Sequence, residues 1–496
     1  MTEQPARLVE THTAVVVFLG DRVIKVKKPV RMAFLDFSTR AARRRACEDE
    51  VVLNRRLAPD VYLGVGALVD PGGEAEPVVV MRRMPDERRL AALVARGEDV
   101  GDHVRRLARR LAAFHATAAT SPEIDRAGEP ATVRGLWEAS FAQVAPYVGR
   151  ILDPGTEART EELARSYLAG REPLLRWRVQ RGQIRDGHGD LLADDVFCLD
   201  DGPRVLDCIE FDPGLRHGDV LGDVAFLAMD LERLGAADAA AALLRAYAEF
   251  SAETHPESLA HLYIAYRAHV RAKVTCLRFD QGEPSAAAEA RRLAALALRH
   301  LEAGRCRLVL VGGLPGTGKS TLAEGIADRL GWLLVRSDVL RKQLAGLPDR
   351  ARAGAGYRQG IYAEKSTART YQEMIDRARR ALRLGESVVL DASWTDDRWR
   401  LLAAHAAETT ASELVELRCE APAAVAAERL ALRAAAGLDP SDAGPDTAAR
   451  MATDADPWPS AYVVDTTPAA GLVLDRVLHH LLATPAAAPR PQLVPG

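Results

Sequence analysis

The sequence predicts a two-part chain of mixed class, α+β over about the first 300 residues and α/β from about residue 305 onward. Three observations carry that prediction. A hairpin with period-two alternation lies at 13–27. An Ala/Leu/Arg-rich amphipathic stretch runs from about 102 to 300. From Arg307 onward, short buried-strand runs alternate with helical stretches around one glycine-rich turn, the pattern of a parallel sheet.

Composition bounds the rest. The chain has 496 residues, 48% of them apolar and 27% charged, which excludes a disordered or fibrous protein. Lys and Arg total 66 against 69 Asp and Glu, a net charge of −3, so no global positive field exists to hold nucleic acid or an anionic membrane. With aromatics at 5%, there is also little surface on which bases could stack. Six dispersed Cys without a C-x-x-C pair suggest neither a zinc knuckle nor a disulfide framework. The start Met1-Thr2-Glu3-Gln4 leads into no apolar signal segment, and no run reaches the roughly 18 apolar residues of a membrane span, so a cytoplasmic protein is expected. Only seven of the 66 cations are Lys, which makes each ammonium worth a question.

The elements follow in order. Thr13 to Leu19, a Gly20-Asp21 turn and Arg22 to Lys27 form the hairpin, with Lys25 and Lys27 on one face. A helix is predicted from about Thr39 to Leu57, then a strand from Pro77 to Met81. Within the helical region, a helix Leu107 to His115 and β-like runs Val196–Leu199 and Val205–Ile209 are expected. In the last part, strands are predicted at 308–311, 333–335, 388–390, 414–417 and 462–464. The boundary falls near 300–306, after a helix ending Leu301-Glu302-Ala303-Gly304.

Gly313-Leu314-Pro315-Gly316-Thr317-Gly318-Lys319-Ser320, followed by Thr321, matches G-x-x-x-x-G-K-[ST] between a strand and a helix. Its glycines let backbone N–H groups converge on a polyphosphate, and the helix N-terminus adds positive charge. Lys319 reaches the β/γ-phosphates, and Ser320 is placed for Mg²⁺. Ser337-Asp338-Val339-Leu340-Arg341-Lys342 follows the second strand, at the carboxyl edge where ligands of such sheets bind. Together these resemble the gluconate-kinase, polynucleotide-kinase and zeta-toxin-like group of P-loop kinases. By that resemblance, Asp338 accepts the acceptor hydroxyl's proton and Arg341 orients substrate or phosphate. Asp391 supports Mg²⁺ as the strand-ending acid of Val388-Val389-Leu390-Asp391. Arg429 and Arg433, spaced i,i+4 before the polar stretch 439–443, are similar to lid arginines.

His188-Gly189-Asp190 precedes Asp195 by the spacing of the H-G-D-x-x-x-x-N loop of aminoglycoside phosphotransferases, choline kinases and fructosamine kinases. A second His217-Gly218-Asp219 falls in Phe211-Asp212-Pro213 to Ala225, which is similar to the same group's I-D-P-x-x-x-x-G-D-x-x-x-D-L-A run. The resemblance implies a bilobal protein-kinase-like part. Asp190 would be its base and Asp195, in place of the Asn, a Mg²⁺ ligand. Asp212 would be the second metal Asp, with Asp207 and Glu210 as alternatives, while Asp219 and Asp223 would be structural acids. Lys25 resembles the strand Lys that contacts α/β-phosphates, with Lys27 its alternative. Glu50 would be its ion-pair partner, with Glu48 its alternative. The Leu111-Ala112-Ala113-Phe114-His115 string matches the group's L-A-x-x-H helix, whereas a Gly-rich loop is missing from the first lobe.

The whole order resembles a bacterial two-domain family of bifunctional aminoglycoside-phosphotransferase-like/ATP-binding proteins. The resemblance implies a phosphotransferase-like domain at 1–300, with a small β lobe at 1–85 and a helical lobe at 86–300. A P-loop kinase domain at 305–485 and a disordered tail at 486–496 complete it. ATP and Mg²⁺ are the implied cofactors. The implied acceptor is a hydroxylated small molecule, sugar or aminoglycoside-like, with neither nucleic acid nor membrane as a partner. A regulatory ATP-binding role for the second domain, or a toxin-like kinase acting on a nucleotide-sugar or RNA end, are the alternatives. The acceptor's identity and the oligomeric state are not encoded in these motifs.

Overall fold

A computed structural model describes residues 7–11, 13–32, 35–69, 73–348, 358–436 and 443–483, so the tail at 486–496 and most of the polar stretch 439–443 lie outside the described residues. The chain divides into two compact units. The first comprises Met1–Glu162, Leu175–His255 and Leu259–Gly304; the second comprises Leu163–Leu174, Pro256–Ser258 and Arg305–Gly496. A single cut near residue 300 therefore misassigns residues 163–174 and 256–258, which pack with the second unit.

The first unit opens on an antiparallel sheet of β1 (Arg7–Glu10), β2 (Ala14–Leu19), β3 (Arg22–Lys27), β4 (Tyr62–Val69) and β5 (Ala75–Arg82), in the order β1-β2-β3-β5-β4. β2 and β3 form the expected hairpin, closed by Gly20 at φ +57, a conformation glycine adopts without steric cost. Helix α1 (Arg40–Asn54) starts at Thr39, whose side chain accepts a hydrogen bond from Ala42 N at 3.2 Å. Its buried residues Arg43, Ala46, Cys47, Glu50, Val51 and Asn54 recur at three- and four-residue spacing, one face of a helix. Cys47 and Val51 join Val23, Tyr62, Val79 and Met81 in the core. Because Val23, Lys25 and Lys27 share the face of β3 that meets this core, the strand period carries two ammonium groups toward α1.

Beyond the sheet come helix α2 (Gly101–Thr117) and two short antiparallel pairs. β6 (Ile184–Asp186) pairs with β9 (His217–Asp219), and β7 (Val196–Leu199) with β8 (Gly202–Val205). The run expected as β at 205–209 ends at Val205. Asp207 takes φ +64, a left-handed conformation that a ladder does not accommodate. Helices α3 (Val220–Arg233), α4 (Ala237–Ser251), α5 (Glu257–Asp280) and α6 (Ala286–Ala303) follow, with α3 buried from Val220 to Leu231.

In the second unit, β10 (Arg307–Gly312), β11 (Leu333–Arg336), β12 (Val388–Asp391), β13 (Glu413–Glu420) and β14 (Tyr462–Asp465) make an all-parallel sheet ordered β11-β12-β10-β13-β14. β10 is buried along its whole length at the centre. Helices α7 (Lys319–Leu330), α8 (Ser337–Leu344), α9 (Glu364–Arg383), α10 (Asp397–Thr409), α11 (Ala423–Ala436) and α12 (Ala470–Ala483) belong to the unit, together with the short helix Pro445–Thr453. One core joins Val309, Val311 and Val389 to Leu322 and Ile326 of α7 and Val477 and Leu481 of α12. The chain winds from β10 to β11 on one side and to β13 and β14 on the other, so the loop after β10 sits at the switch point where such sheets open a crevice. All six cysteines are buried. Among the described residues, no helix is long and apolar enough to cross a membrane.

Candidate functional site

The first candidate site is built on the loop at that switch point. Gly313, Gly316 and Gly318 take φ +139, +84 and +79, and a Cβ would stand 2.5 Å from Cys419 O at Gly313 and 2.5 Å from Ala426 O at Gly316. Both the conformation and the close approach of backbone require glycine there. Thr317 fixes the turn by donating its hydroxyl to Leu314 O at 2.8 Å, and Thr466 Oγ1 donates to Thr317 O at 2.8 Å. Gly318 then caps α7, so Lys319, Ser320 and Thr321 form its first turn. Asp391, at the end of β12 opposite Val311, is buried and has its Oδ1 without a hydrogen-bond partner. Burial raises its carboxyl pKa above the ordinary range, while Lys319, the Ser320 hydroxyl and Arg336 oppose the shift.

Two cavities flank Lys319. One of about 550 Å³ is lined by Gly316, Gly318, Lys319, Thr321, Arg429 and Arg433 among others. Arg429 donates to Thr466 Oγ1 at 3.1 Å and to Thr466 O at 2.7 Å, and Arg433 donates to Ala443 O at 2.6 Å. The other cavity, about 410 Å³, is lined by Lys319, Asp338, Arg341, Tyr371, Ser393 and Trp399 among others. Asp338, the second residue of α8, reaches it from the carboxyl end of β11. Arg341 is buried and donates Nη1 to Ile361 O and to Thr367 Oγ1, both at 3.0 Å. Tyr371 and Trp399 stack with ring centroids 5.1 Å apart and form part of the wall, which sequence reasoning did not name.

In the first unit, the ammonium groups of β3 meet the buried Glu50 of α1. Lys25 Nζ stands 2.9 Å from Glu50 Oε1, and Lys27 Nζ stands 2.6 Å from Oε2. Glu48 is exposed on the opposite side of α1. Lys25 also pairs with Asp207 Oδ1 at 2.7 Å, and Lys27 with Glu210. Both lysines thus bridge α1 to the segment after β8. Lys25 draws the Asp207 carboxyl down to about 2. Burial pushes the Asp195 carboxyl well above its usual range, and the neighbouring charges of Asp207 and Asp190 push the same way. Burial also raises Asp190, opposed by Arg271, His188 and Arg267. Asp190, Asp195 and Asp207 therefore act on one another's charge, and Asp207 also meets Lys25.

Asp212 stands apart from this group. Its side chain accepts from Gly214 N at 2.8 Å and caps the short helix Pro213–Arg216. Asp212, expected as the second metal acid, is engaged in that cap, whereas the left-handed backbone at its alternative Asp207 brings that carboxylate to Lys25. The two H-G-D strings differ as expected. Asp219 receives a fork from Arg178 at 2.6 and 2.7 Å and accepts from Leu221 N at 2.9 Å. Asp223 accepts from the backbone N–H groups of His188 at 2.5 Å and Gly189 at 3.0 Å, and His115 Nε2 lies 3.4 Å away. Asp223 thus holds the loop that carries Asp190. His188 Nε2 donates to Leu206 O at 3.0 Å, which ties the loop to the segment before Asp207.

Among the described residues, no three His, Cys, Asp or Glu side chains converge as a self-sufficient metal site. Mg²⁺ is ordinarily held by one or two carboxylates together with substrate phosphates and water. The unpartnered Asp391 Oδ1 beside Ser320, and the facing Asp195 and Asp207, fit that donor set.

A family model described as an AAA domain matches residues 308–457. The uncharacterized protein Rv2004c of Mycobacterium tuberculosis is 44% identical over 458 residues, covering 92% of this chain and 91% of its own. Among solved structures, a gluconokinase from Sinorhizobium meliloti is 18% identical, aligned over 36% of this chain and 92% of its own with a TM-score of 0.27. The GDP and kanamycin complex of APH(2'')-IIia is 18% identical, aligned over 60% of this chain and 94% of its own with a TM-score of 0.40.

Proposed function

We propose that this chain, which belongs to the family of that mycobacterial protein and carries a matched AAA domain over residues 308–457, is an ATP-dependent phosphotransferase with one ATP·Mg²⁺ site in each unit. Each site transfers the γ-phosphate to a hydroxyl of a small molecule. The observation that carries this reading is the pair of cavities meeting at Lys319, one beside the glycine loop and one beside Asp338. An ATPase that only regulates its neighbour has no use for the second cavity.

Mg²⁺, which Ser320 and Asp391 or Asp195 and Asp207 would hold, would supply neutralisation of the charge that develops during transfer. The residues do the rest. In the second unit, the amides of Gly313 to Lys319 cradle the triphosphate, and Lys319 spans both cavities at the point of transfer. Ser320 and Asp391 hold the metal. Arg429 and Arg433 close over the nucleotide side, and Asp338 receives the acceptor's proton. In the first unit, Glu50 orients Lys25 toward the α/β-phosphates, Asp195 and Asp207 hold metal, and Asp190 is the base. The raised carboxyl of Asp190 suits a general base better than an unperturbed one, because basicity rises with pKa.

Nucleotide stoichiometry tests the reading. Calorimetric titration with a non-hydrolysable ATP analogue and Mg²⁺ should count two sites in the parent chain, one in Lys319→Ala and one in Lys25→Met. A single site in the parent, or two in either variant, overturns the two-site reading. Labelled phosphate transfer from ATP into a cell extract should then fall separately with Asp190→Asn and Asp338→Asn.

A further inference from the structure

Two arginines of α5, Arg267 and Arg271, lie on the side of that helix that meets the loop carrying Asp190. Tyr263 donates its hydroxyl to Asp219 at 3.2 Å, and one turn later Arg267 Nη1 donates to Gly189 O at 3.3 Å. Arg271 follows at the next turn of the same face. Arg267 is steadied by lying over the Phe226 ring, 4.6 Å from its centroid. Both arginines are half-buried, and among the described residues neither has a carboxylate at ion-pair distance. Arg216 pairs with Asp186 at 2.8 Å, Arg56 with Asp186 at 3.5 Å and Arg178 with Asp219 at 2.6 Å, while Arg185 donates to the carbonyls of Gly182 and Ala118.

With Lys25, Asp195 and Asp207 serving the nucleotide and its metal, Arg267 and Arg271 are the cations left beside Asp190 to face the acceptor. A half-buried Arg without a carboxylate partner is a desolvated fork suited to an oxyanion. A polycationic acceptor would meet two like charges there, and like charges placed together select against a partner.

We propose that the first unit phosphorylates a hydroxyl on an anionic small molecule, one bearing a phosphate or carboxylate that Arg267 and Arg271 bind, and that it rejects aminoglycoside-like polycations. This rests on the reading of Asp190 as the base of a kinase site, and it narrows the acceptor class of that site.

The test uses the full chain carrying Lys319→Ala. Binding of the non-hydrolysable ATP analogue with Mg²⁺ is measured first; failure to bind sinks the kinase reading of the first unit without touching the oxyanion result. Inorganic phosphate, D-glycerate and kanamycin are then titrated in separate arms, the first two distinguishing a phosphate from a carboxylate group. Phosphate or glycerate should bind and weaken at least tenfold in Arg267→Gln/Arg271→Gln. Binding should return in Arg267→Lys/Arg271→Lys, which keeps the charge, and it should persist in Asp190→Asn. The proposal is overturned if neither oxyanion binds, if the Gln variant binds it as the parent does, or if kanamycin binds and is lost in Asp190→Asn. Circular dichroism of each variant separates a lost site from a lost fold.

Discussion

Three acids within six residues are candidates for one role in the first unit, and the backbone gives each a different partner. Asp207 sits at φ +64, 2.7 Å from Lys25; Glu210 pairs with Lys27; Asp212 caps a helix. Asp207→Asn should therefore lower Mg²⁺-dependent transfer by the first unit by about 100-fold, as loss of a metal contact does, whereas Asp212→Asn should stay within a few-fold. Comparing kcat/KM of the two variants in the Lys319→Ala background checks this, and equal losses would return the role to Asp212. Asp190 carries a prediction of a different kind. Burial raises its carboxyl, and a base works only when deprotonated, so transfer should be full at neutral pH and be lost as pH falls through a value above the ordinary Asp range of about 3.9. A pH profile of kcat/KM reads this directly; an acid limb at or below about 3.9 would remove Asp190 from the role. Sequence spacing could point to Asp190, Asp195, Lys25 and Glu50 because each lies in a short local string. It left Asp207 as an alternative only, because its contact with Lys25 depends on one dihedral angle and on a lysine 182 residues earlier. Arg267 and Arg271 were invisible among so many arginines, since what marks them is the carboxylate they lack.

At the scale of elements, legibility follows how local the determinant is. The hairpin of β2 and β3, the start of α1 at Thr39 and the strand-loop-helix of β10 and α7 all rest on neighbouring residues, and all stand where expected. β1 and β4 went unread, because the short Arg7–Glu10 and the Gly-interrupted Tyr62–Val69 have little strand signal of their own and are fixed by pairing with β2 and β5. The loop between β10 and α7 is the element on which a substitution is most diagnostic. In Gly316→Ala, a methyl group would stand 2.5 Å from Ala426 O with φ held at +84. Strain of this kind costs on the order of 1–3 kcal/mol, and the loop relieves it only by moving its amides off the phosphate positions. The variant should therefore lose one nucleotide site by calorimetry while its melting temperature drops by only a few degrees. Undiminished stoichiometry would mean that the cradle tolerates a Cβ.

The division of the whole molecule does not coincide with any one position in the chain. Residues 163–174 and 256–258 belong to the second unit, where Leu163, Ala164, Tyr167, Leu168 and Leu174 are all buried. Arg171, buried as well, donates to Thr410 O, to Ala411 O at 3.2 Å and to Ser412 Oγ at 3.1 Å. Tyr167 OH and Ser258 Oγ lie 3.0 Å apart, and Ser258 donates to Gly385 O at 2.7 Å. These segments cover the ends of α9 and α10 and supply carbonyl partners that a fragment beginning at Arg305 would lack. Burying each Leu-sized side chain is worth about 1.5–3 kcal/mol, and an unpaired buried carbonyl costs about 1–3 kcal/mol. Together these losses rival the roughly 5–15 kcal/mol that holds a domain folded. Expressed alone, residues 305–496 should therefore be insoluble or melt without a cooperative transition, although they contain the entire glycine loop, Asp338 and Asp391. Near-ultraviolet circular dichroism and calorimetry of that fragment, set beside the full chain, check this. A sharp transition at the temperature at which the second unit melts in the full chain would show that Arg171 and its neighbours contribute nothing to the fold of the P-loop unit.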